Sequence, residues 1–431
     1  MTPGARAAAA IEVLDQVAAS RAPADEVLRS WGRAHRFAGS KDRRAIAELA
    51  FAGVRARALA GWRFGGDDGR ACLLQALGEA GRAACFTGEA HAPAPLTDAE
   101  RAALARPDAD APDWARAGVP AWKAPLLEAS FGADWAEEAA ALSQGRAPID
   151  LRVNLRRAAL TSAQAALAAA DLASGATPLS ATGLRLTARL APDLHKLQAF
   201  RAGWFEVQDE GSQLMAWLAG AEPGMTVVDY CAGGGGKTLA LWQAMGAKGS
   251  GRLIAFDVDP RRLDAIRPRL ERSGAQATLR AIGADGQGTQ DLEGRADLVL
   301  VDAPCSASGT WRRRPEAIWR TTPESLQRLT ALQSALLDRA SRLVRPGGRL
   351  AYVTCSVFAA ENLAAADAFV AAHADFRPRS IADAAGTSPL ITPQGRDRLA
   401  ELARGGHSVQ LSPRRTDTDG FFAALFERSP A

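Results

Sequence analysis

No apolar stretch in this sequence approaches the ~20 consecutive residues that cross a bilayer. Apolar runs such as 7–11 and 298–301 end after a handful of positions, so no membrane span is expected. The N-terminus places Glu12 and Asp15 where an export signal needs an unbroken apolar core, which argues against secretion. Lysine is scarce: of 52 basic residues, five are lysine and 47 arginine. Cysteine is scarce and odd in number, five without a close pair, which excludes a disulfide framework and points to a reducing cytoplasm. With no CxxC spacing and five scattered histidines, no metal centre is expected.

What remains is the composition of a globular protein: 47% hydrophobic, 23% charged and 431 residues long, enough for two or three domains. The net charge of +4 is mild. Arginine's planar fork suits phosphate and stacks on bases, but a GC-rich genome enriches arginine as well. Composition therefore permits a nucleic-acid partner without requiring one.

Residues 1–85 read as helical. Ile11, Leu14 and Val17 share one helix face, and Val27 and Leu28 lie in a short second helix. A third starts at Ser40, a plausible N-cap, and runs through Ile46, Leu49, Val54 and Leu59. Arg43, Arg44, Arg55 and Arg57 on it form either a solvated face or an RNA-facing patch. Prolines at 93, 95, 107, 112 and 120 make 86–120 a linker with short helices. Residues 121–200 read as a small α/β module, with helices at 126–142 and 162–170 and a strand at 149–154. From 201 to 431 strands at 226–230, 253–257, 298–302 and 350–354 alternate with helices, notably 323–344. This alternation predicts an α/β fold with a parallel sheet covered on both faces, and ligands beyond its carboxyl edge.

The first strand runs into Asp229-Tyr230-Cys231-Ala232-Gly233-Gly234-Gly235-Gly236-Lys237-Thr238. Four glycines let the backbone approach a ligand closely at a helix N-terminus. Gly236-Lys237-Thr238 matches the end of a phosphate-binding P-loop, and 298–302 resembles its magnesium-binding strand. A P-loop, however, needs glycine where Cys231 stands, and a dinucleotide fingerprint needs glycine at Thr238. Asp257 ends the second strand at the spacing from a glycine-rich turn that reaches ribose hydroxyls, roughly 20 positions; its alternative is a helix N-cap before Pro260. Asp285 follows a weaker strand, with a turn residue as its alternative. One carboxylate per strand end suits S-adenosylmethionine better than a triphosphate.

The fourth strand runs into Asp302-Ala303-Pro304-Cys305-Ser306, and the fifth into Thr354-Cys355-Ser356. One cysteine at a strand end is ordinarily a small buried apolar residue. Two on neighbouring tips, each followed by serine and close to Asp302, suggest chemistry. Methylation of cytosine C5 wants a thiolate: its addition to C6 makes C5 an enamine carbon able to take a methyl group, helped by an acid such as Asp302 at the base's N3.

These elements resemble the Sun family of RNA cytosine-5 methyltransferases, in particular bacterial members with an N-terminal NusB-like domain. The resemblance covers most of the chain: Gln208-Asp209-Glu210-Gly211-Ser212, the 229–238 loop, 302–310, Arg314-Pro315, Thr354-Cys355-Ser356 with Glu361-Asn362, Leu411-Ser412-Pro413 and Asp419-Gly420-Phe421-Phe422. It implies a Rossmann-like catalytic domain preceded by a small α/β RNA-contacting module, around Arg152-Val153-Asn154, and by helical NusB-like RNA-binding segments. It implies Cys355 as the nucleophile and Cys305 as the thiol that assists release. The cofactor, S-adenosylmethionine, would meet Cys231, Ala232, Gly233, Gly234, Gly235, Gly236, Lys237, Asp257, Asp285 and Asp302. The implied substrate is 16S ribosomal RNA, with transfer RNA as the alternative. The family loop usually has proline where this chain has Gly234. Competing classes are a non-catalytic RNA-binding assembly factor and a P-loop-like nucleotide hydrolase.

Overall fold

The computed structural model describes residues 1–187, 193–246 and 251–430. Short stretches of the 121–200 module and of the 201–431 segment thus lie outside the described residues. Contacts divide the chain into two compact units, Met1–Arg146 with Thr310–Thr322, and Ala147–Gly309 with Pro323–Ala431. No helix among the described residues is long and apolar enough to cross a membrane.

The first unit is helical: Pro3–Ala19, Ala24–Ala34, Ser40–Phe64, Gly69–Ala76 and Glu79–Cys85. Thr2 caps the first helix, its side chain accepting from Ala5 N at 3.1 Å, with proline at the first helical position. Val13, Leu14 and Val17 meet Ile46, Ala50 and Val54 of the long helix in one core. A Cβ at Gly53 would stand 2.6 Å from the Leu14 side chain, so a glycine sets that close approach. Ser40 is the first residue of its helix; the N-cap is Gly39, with no side-chain cap bond. The single helix expected at 126–142 is two, Ala124–Phe131 and Trp135–Ser143, because Gly132 adopts φ 63° between them. The linker region forms short helices, Asp98–Leu104 and Asp113–Arg116, the former closed by a Thr97/Glu100 capping box.

Segment Thr310–Thr322 packs within this helical unit. Glu316 Oε1 accepts from Ala24 N at 3.2 Å, Arg57 lies 4.5 Å above the Trp319 ring, and the buried Lys123 ammonium donates to the Ile318 carbonyl. Burial draws the Lys123 pKa down to about 7. Apolar periodicity could not assign this stretch, since it reads equally well as a loop of the catalytic segment.

The second unit holds two sheets. In the smaller, β1 (Ile149–Val153), β2 (Ser174–Ala176), β3 (Gly183–Leu186) and β4 (Phe205–Val207) pair antiparallel in the order β2-β3-β1-β4. Leu151 and Val153 join Leu184, Leu186 and Phe205 in its core. The Arg152 guanidinium is buried and donates to Gln208 Oε1 and Gln243 Oε1, both at 2.6 Å. Asn154 Nδ2 donates to the carbonyls of Gly203 and Ser273. The residues expected to meet RNA around Arg152-Val153-Asn154 therefore face the interior: polar residues at strand spacing pair with amides of neighbouring elements instead of water.

The larger sheet comprises β5 (Thr226–Asp229), β6 (Arg252–Asp257), β7 (Thr278–Ala281), β8 (Ala296–Asp302), β9 (Val344–Thr354), β10 (Phe376–Pro378), β11 (Ser408–Gln410) and β12 (Phe422–Arg428). Its order is β7-β6-β5-β8-β9-β12-β10, with β11 on β12. The first five strands of that order run parallel, and β12 lies antiparallel between β9 and β10. Both faces are apolar, as parallel sheets require. Val227, Leu298, Leu300 and Val353 enter one core; Val228, Ile254, Val299 and Tyr352 enter the other.

Candidate active site

The carboxyl ends of β5, β6, β8 and β9 open onto one cleft of about 860 Å³, within the ~300–1,000 Å³ usual for small-molecule sites. After Asp229 the chain turns through residues 230–235 into helix Gly236–Ala244. The turn demands left-handed backbone at Gly233 (φ 53°) and Gly235 (φ 79°), and a Cβ at Gly235 would stand 2.8 Å from Ile266. Glycine alone meets both conditions. Cys231, Ala232, Gly233, Gly234, Gly236 and Lys237 line the cleft; Gly235 shapes the turn from behind. The Gly234 carbonyl accepts from the Arg269 guanidinium. That bond restrains the loop where a proline would otherwise do so.

Asp257 lines the cleft and ties the loop down: Gly233 N donates to its Oδ2 and Asp259 N to its Oδ1, both at 2.9 Å. It does not cap the next helix. That cap is Asp259, whose side chain accepts from Arg261 N. Asp285 stands apart; its exposed carboxylate accepts from Gln287 N at 3.0 Å, while Gly283 and Ala284 line the cleft in its place. The turn-residue alternative fits it better. Asp229 lies wholly buried beneath the loop. Two carboxylates, Asp257 and Asp302, thus face the cleft from its strand ends.

Asp229 Oδ2 accepts from Thr238 Oγ1 at 2.6 Å, and Oδ1 has no partner. Burial pushes its pKa up to about 7, against ~3.9 in an unfolded chain. Between those values the folded protein holds a proton that the unfolded chain releases, so this group's contribution to stability is lost as pH rises through that window. Asp229→Asn keeps an acceptor for Thr238 and removes the titration. Denaturant midpoints should show the variant gaining on the parent protein from pH ~5 to pH ~8. A constant difference between the two across that range would contradict a raised pKa.

Lys237 Nζ donates to Asp302 Oδ2 at 2.7 Å and lies 5.2 Å from the centre of the Phe421 ring. Burial works against its charge, but the Asp302 carboxylate and nearby Cys355 outweigh that and hold its pKa above the ordinary value. Lys237 and Thr238 are thus both committed to carboxylates. A P-loop needs them for phosphate and magnesium.

Cys305 and Cys355 both line the cleft, with their Sγ atoms 3.4 Å apart. The hydrogen bond to Cys355, reinforced by burial, raises the Cys305 pKa well above that of a free thiol. A thiolate at Cys305 is therefore disfavoured by its surroundings. Burial also raises Cys231, beside Asp229 and Asp302, which makes it a wall of the cleft and a poor nucleophile. The remaining walls, including Tyr230, Val258, Leu332, Leu336 and Phe421, were not anticipated as site residues. Of these, Tyr230 and Phe421 carried a signal, in the 229–238 loop and in Asp419-Gly420-Phe421-Phe422. No group of three or more His, Cys, Asp or Glu among the described residues could hold a metal ion.

The strand order, with one antiparallel strand inserted near an edge of a parallel sheet and a glycine-rich first turn, defines a Rossmann-like methyltransferase fold. Solved structures agree: that of PH0851 covers 99% of this chain at a TM-score of 0.75 and 23% identity. A methyltransferase homolog protein from Pyrococcus horikoshii covers 73% at 0.58 and 24%. The family model for 16S rRNA methyltransferase RsmB/F matches residues 215–427, and the RsmF/B-like ferredoxin-like domain matches 119–191. The chain is 36% identical over 312 residues to ribosomal RNA small subunit methyltransferase B of Xylella fastidiosa, covering 72% of this chain and 68% of that one. It is 35% identical over 313 residues to its counterpart in Pseudomonas syringae pv. tomato, covering 72% of this chain and 65% of that relative's length. The chain belongs to the RsmB/F methyltransferase family.

Proposed function

We propose that the protein methylates C5 of a cytosine in small-subunit ribosomal RNA, using S-adenosylmethionine and a covalent Cys355 adduct. The observation that carries this reading is the thiol pair, 3.4 Å apart, beside the Asp302–Lys237 ion pair in a single cleft. The relatives' names, ribosomal RNA small subunit methyltransferase B, support the substrate class. A related fold, NSun6 from Pyrococcus horikoshii, was solved with SFG, at a TM-score of 0.60 and 19% identity.

The cleft suits a sulfonium nucleoside. Asp257 can accept from ribose hydroxyls while it braces the loop, Val258 and Leu336 offer apolar walls for adenine, and the start of helix Gly236–Ala244 offers amide groups to a carboxylate. When bound, the cofactor supplies an electrophilic methyl group. The chain's own groups do the rest. Cys355 adds to C6, and the Lys237 ammonium stabilises the anionic sulfur before attack. As Cys355 adds, N3 of the base takes up a proton from water and donates it in a hydrogen bond to the Asp302 carboxylate, which Lys237 holds. Cys305 retains its proton during attack and hands it over when Cys355 leaves, after a base has removed the C5 proton. Paired substrate cytosines would have to be flipped out to reach these groups.

The helical unit, read as NusB-like, is assigned to RNA contact. Phe37 is 70% exposed, edge-on to a stacked Trp31–His35 pair. Arg29, Arg33, Arg43 and Arg44 line an adjoining cavity of about 550 Å³. Replacing Arg29 and Arg33 with alanine should weaken RNA binding at all sequences and lower the salt slope by ~1 per lost phosphate contact. An unchanged slope in a KCl titration would remove this surface from the interface.

The whole reading is tested by incubating the protein with small-subunit RNA and labelled S-adenosylmethionine, then mapping 5-methylcytosine by bisulfite sequencing. A single protected cytosine, absent from RNA of a deletion strain, is expected. RNA binding with no transfer to any cytosine would instead favour an assembly factor.

A further inference from the structure

Glu361 is a buried acid to which the proposed chemistry gives no role. Glu361 is fully buried, and no cation pairs with it among the described residues. Its Oε1 accepts from Ser306 N at 2.8 Å and Gln333 Nε2 at 3.0 Å; its Oε2 accepts from Ser306 Oγ and Ser356 Oγ, both at 2.5 Å. Those bonds fill the ~four acceptor sites of an ionised carboxylate. Burying a carboxylate without a cation is costly, and a neutral side chain could join two loops more cheaply.

The donors explain the choice. Ser306 follows Cys305, and Ser356 follows Cys355. A single carboxylate thus grips both cysteine-bearing turns, one residue beyond each sulfur. Gln333 adds a second strap, donating also to the Pro304 carbonyl at 2.9 Å. Glu361 is itself held, its carbonyl accepting from Tyr352 Oη at 2.5 Å. Beside it, Asn362 accepts from Thr354 Oγ1 at 2.6 Å and donates to the Ser356 carbonyl at 2.8 Å. The Ser308 hydroxyl closes the ring, 3.0 Å from Ser356 Oγ and receiving Val357 N at 2.8 Å.

We propose that Glu361 is a positioning residue that sets the distance between the two catalytic thiols by clamping Ser306 and Ser356. It touches neither substrate nor cofactor and acts through the serines. This rests on the two-thiol reaction described above. A carboxylate suits the task because it accepts from all sides, so neither turn can trade its bond for a competing acceptor without leaving one of these oxygens bare.

Glu361→Gln tests this at nearly constant shape, since it turns one acceptor into a donor aimed at N–H or O–H groups. With its NH2 group toward the serines, both hydroxyls must turn round to accept, so two short charge-assisted bonds become weaker neutral ones and the clamp loosens. Two readouts are needed. In steady-state methylation kcat should fall, on the order of 10²-fold for ~1 Å of misplacement, with KM for RNA and for S-adenosylmethionine unchanged. Independently of RNA, diamide can take two electrons and two protons from Cys305 and Cys355, becoming the hydrazine as the disulfide forms. That closure should be several-fold slower in the variant than in the parent protein. Ser306→Ala, which deletes one hydroxyl donor, should give smaller changes of the same sign and covers the case in which Glu361→Gln does not fold. A lowered melting temperature with kcat and the disulfide rate both unchanged would overturn the proposal and leave Glu361 a purely structural residue. If the parent protein methylates nothing yet the disulfide rate still falls, the reaction assignment fails while the clamp stands.

Discussion

Cys305→Ala should accumulate a protein–RNA adduct that survives denaturing electrophoresis, whereas Cys355→Ala should form none. The expectation follows from which sulfur keeps its proton. The hydrogen bond to Cys355 and burial both disfavour a thiolate at Cys305. On the proposed reaction Cys355 attacks, and the adduct it forms needs a nearby proton source to leave. With alanine at 305 the nucleophile is intact and the 3.4 Å neighbour that protonates it is missing. Turnover should collapse by several orders of magnitude while adduct formation persists. The opposite pattern, adduct with Cys355→Ala and none with Cys305→Ala, would make the proline-cysteine thiol the nucleophile, as in DNA cytosine methyltransferases.

A second large effect is expected from Asp302→Asn. The carboxylate accepts from Lys237 at 2.7 Å, and Lys237 is buried. An amide there leaves an ammonium with no counter-charge in contact and replaces the carboxylate proposed to meet the base edge. General acid–base contributions of this kind run to ~10²–10⁴-fold in rate. Removing one partner of a buried pair also costs about 3–5 kcal/mol of stability; because Asp302 is partly open to water, the loss should fall below that range. The check is kcat together with the denaturant midpoint, with and without S-adenosylmethionine. Wild-type kcat in a stable variant would mean Asp302 serves only the cofactor or the fold.

Much of this site was legible in sequence because its parts sit at strand tips. Alternation of apolar runs located β5, β6, β8 and β9, and the rule that ligands lie beyond their carboxyl ends singled out Gly233, Asp257, Asp302, Cys305 and Cys355. Side-chain direction was not legible. Asp285 occupies the same kind of position as Asp257, yet its carboxylate closes its own turn on Gln287. Arg152 carries a charge that suggests RNA, yet Gln208 and Gln243 hold it inside. Strands β10 and β11 escaped notice because three residues are too few for a period to show, and β12 because its pairing depends on partners distant in sequence. Glu361 was visible only as a letter within a motif; its task appears once the two serines are seen to converge on it.

Segment Thr310–Thr322 belongs by its contacts to the helical unit, yet in sequence it directly follows the turn bearing Cys305. No single cut therefore separates a catalytic piece from a helical one. A chain begun at Ala147 would present Trp311 and Ile318, both buried here, to water within a few residues of a reactive sulfur, and an aggregation-prone loop would follow. Evolution of this architecture by shuffling whole modules would meet the same obstacle: a new N-terminal partner must bring a seat for that excursion, so the two parts have to change together.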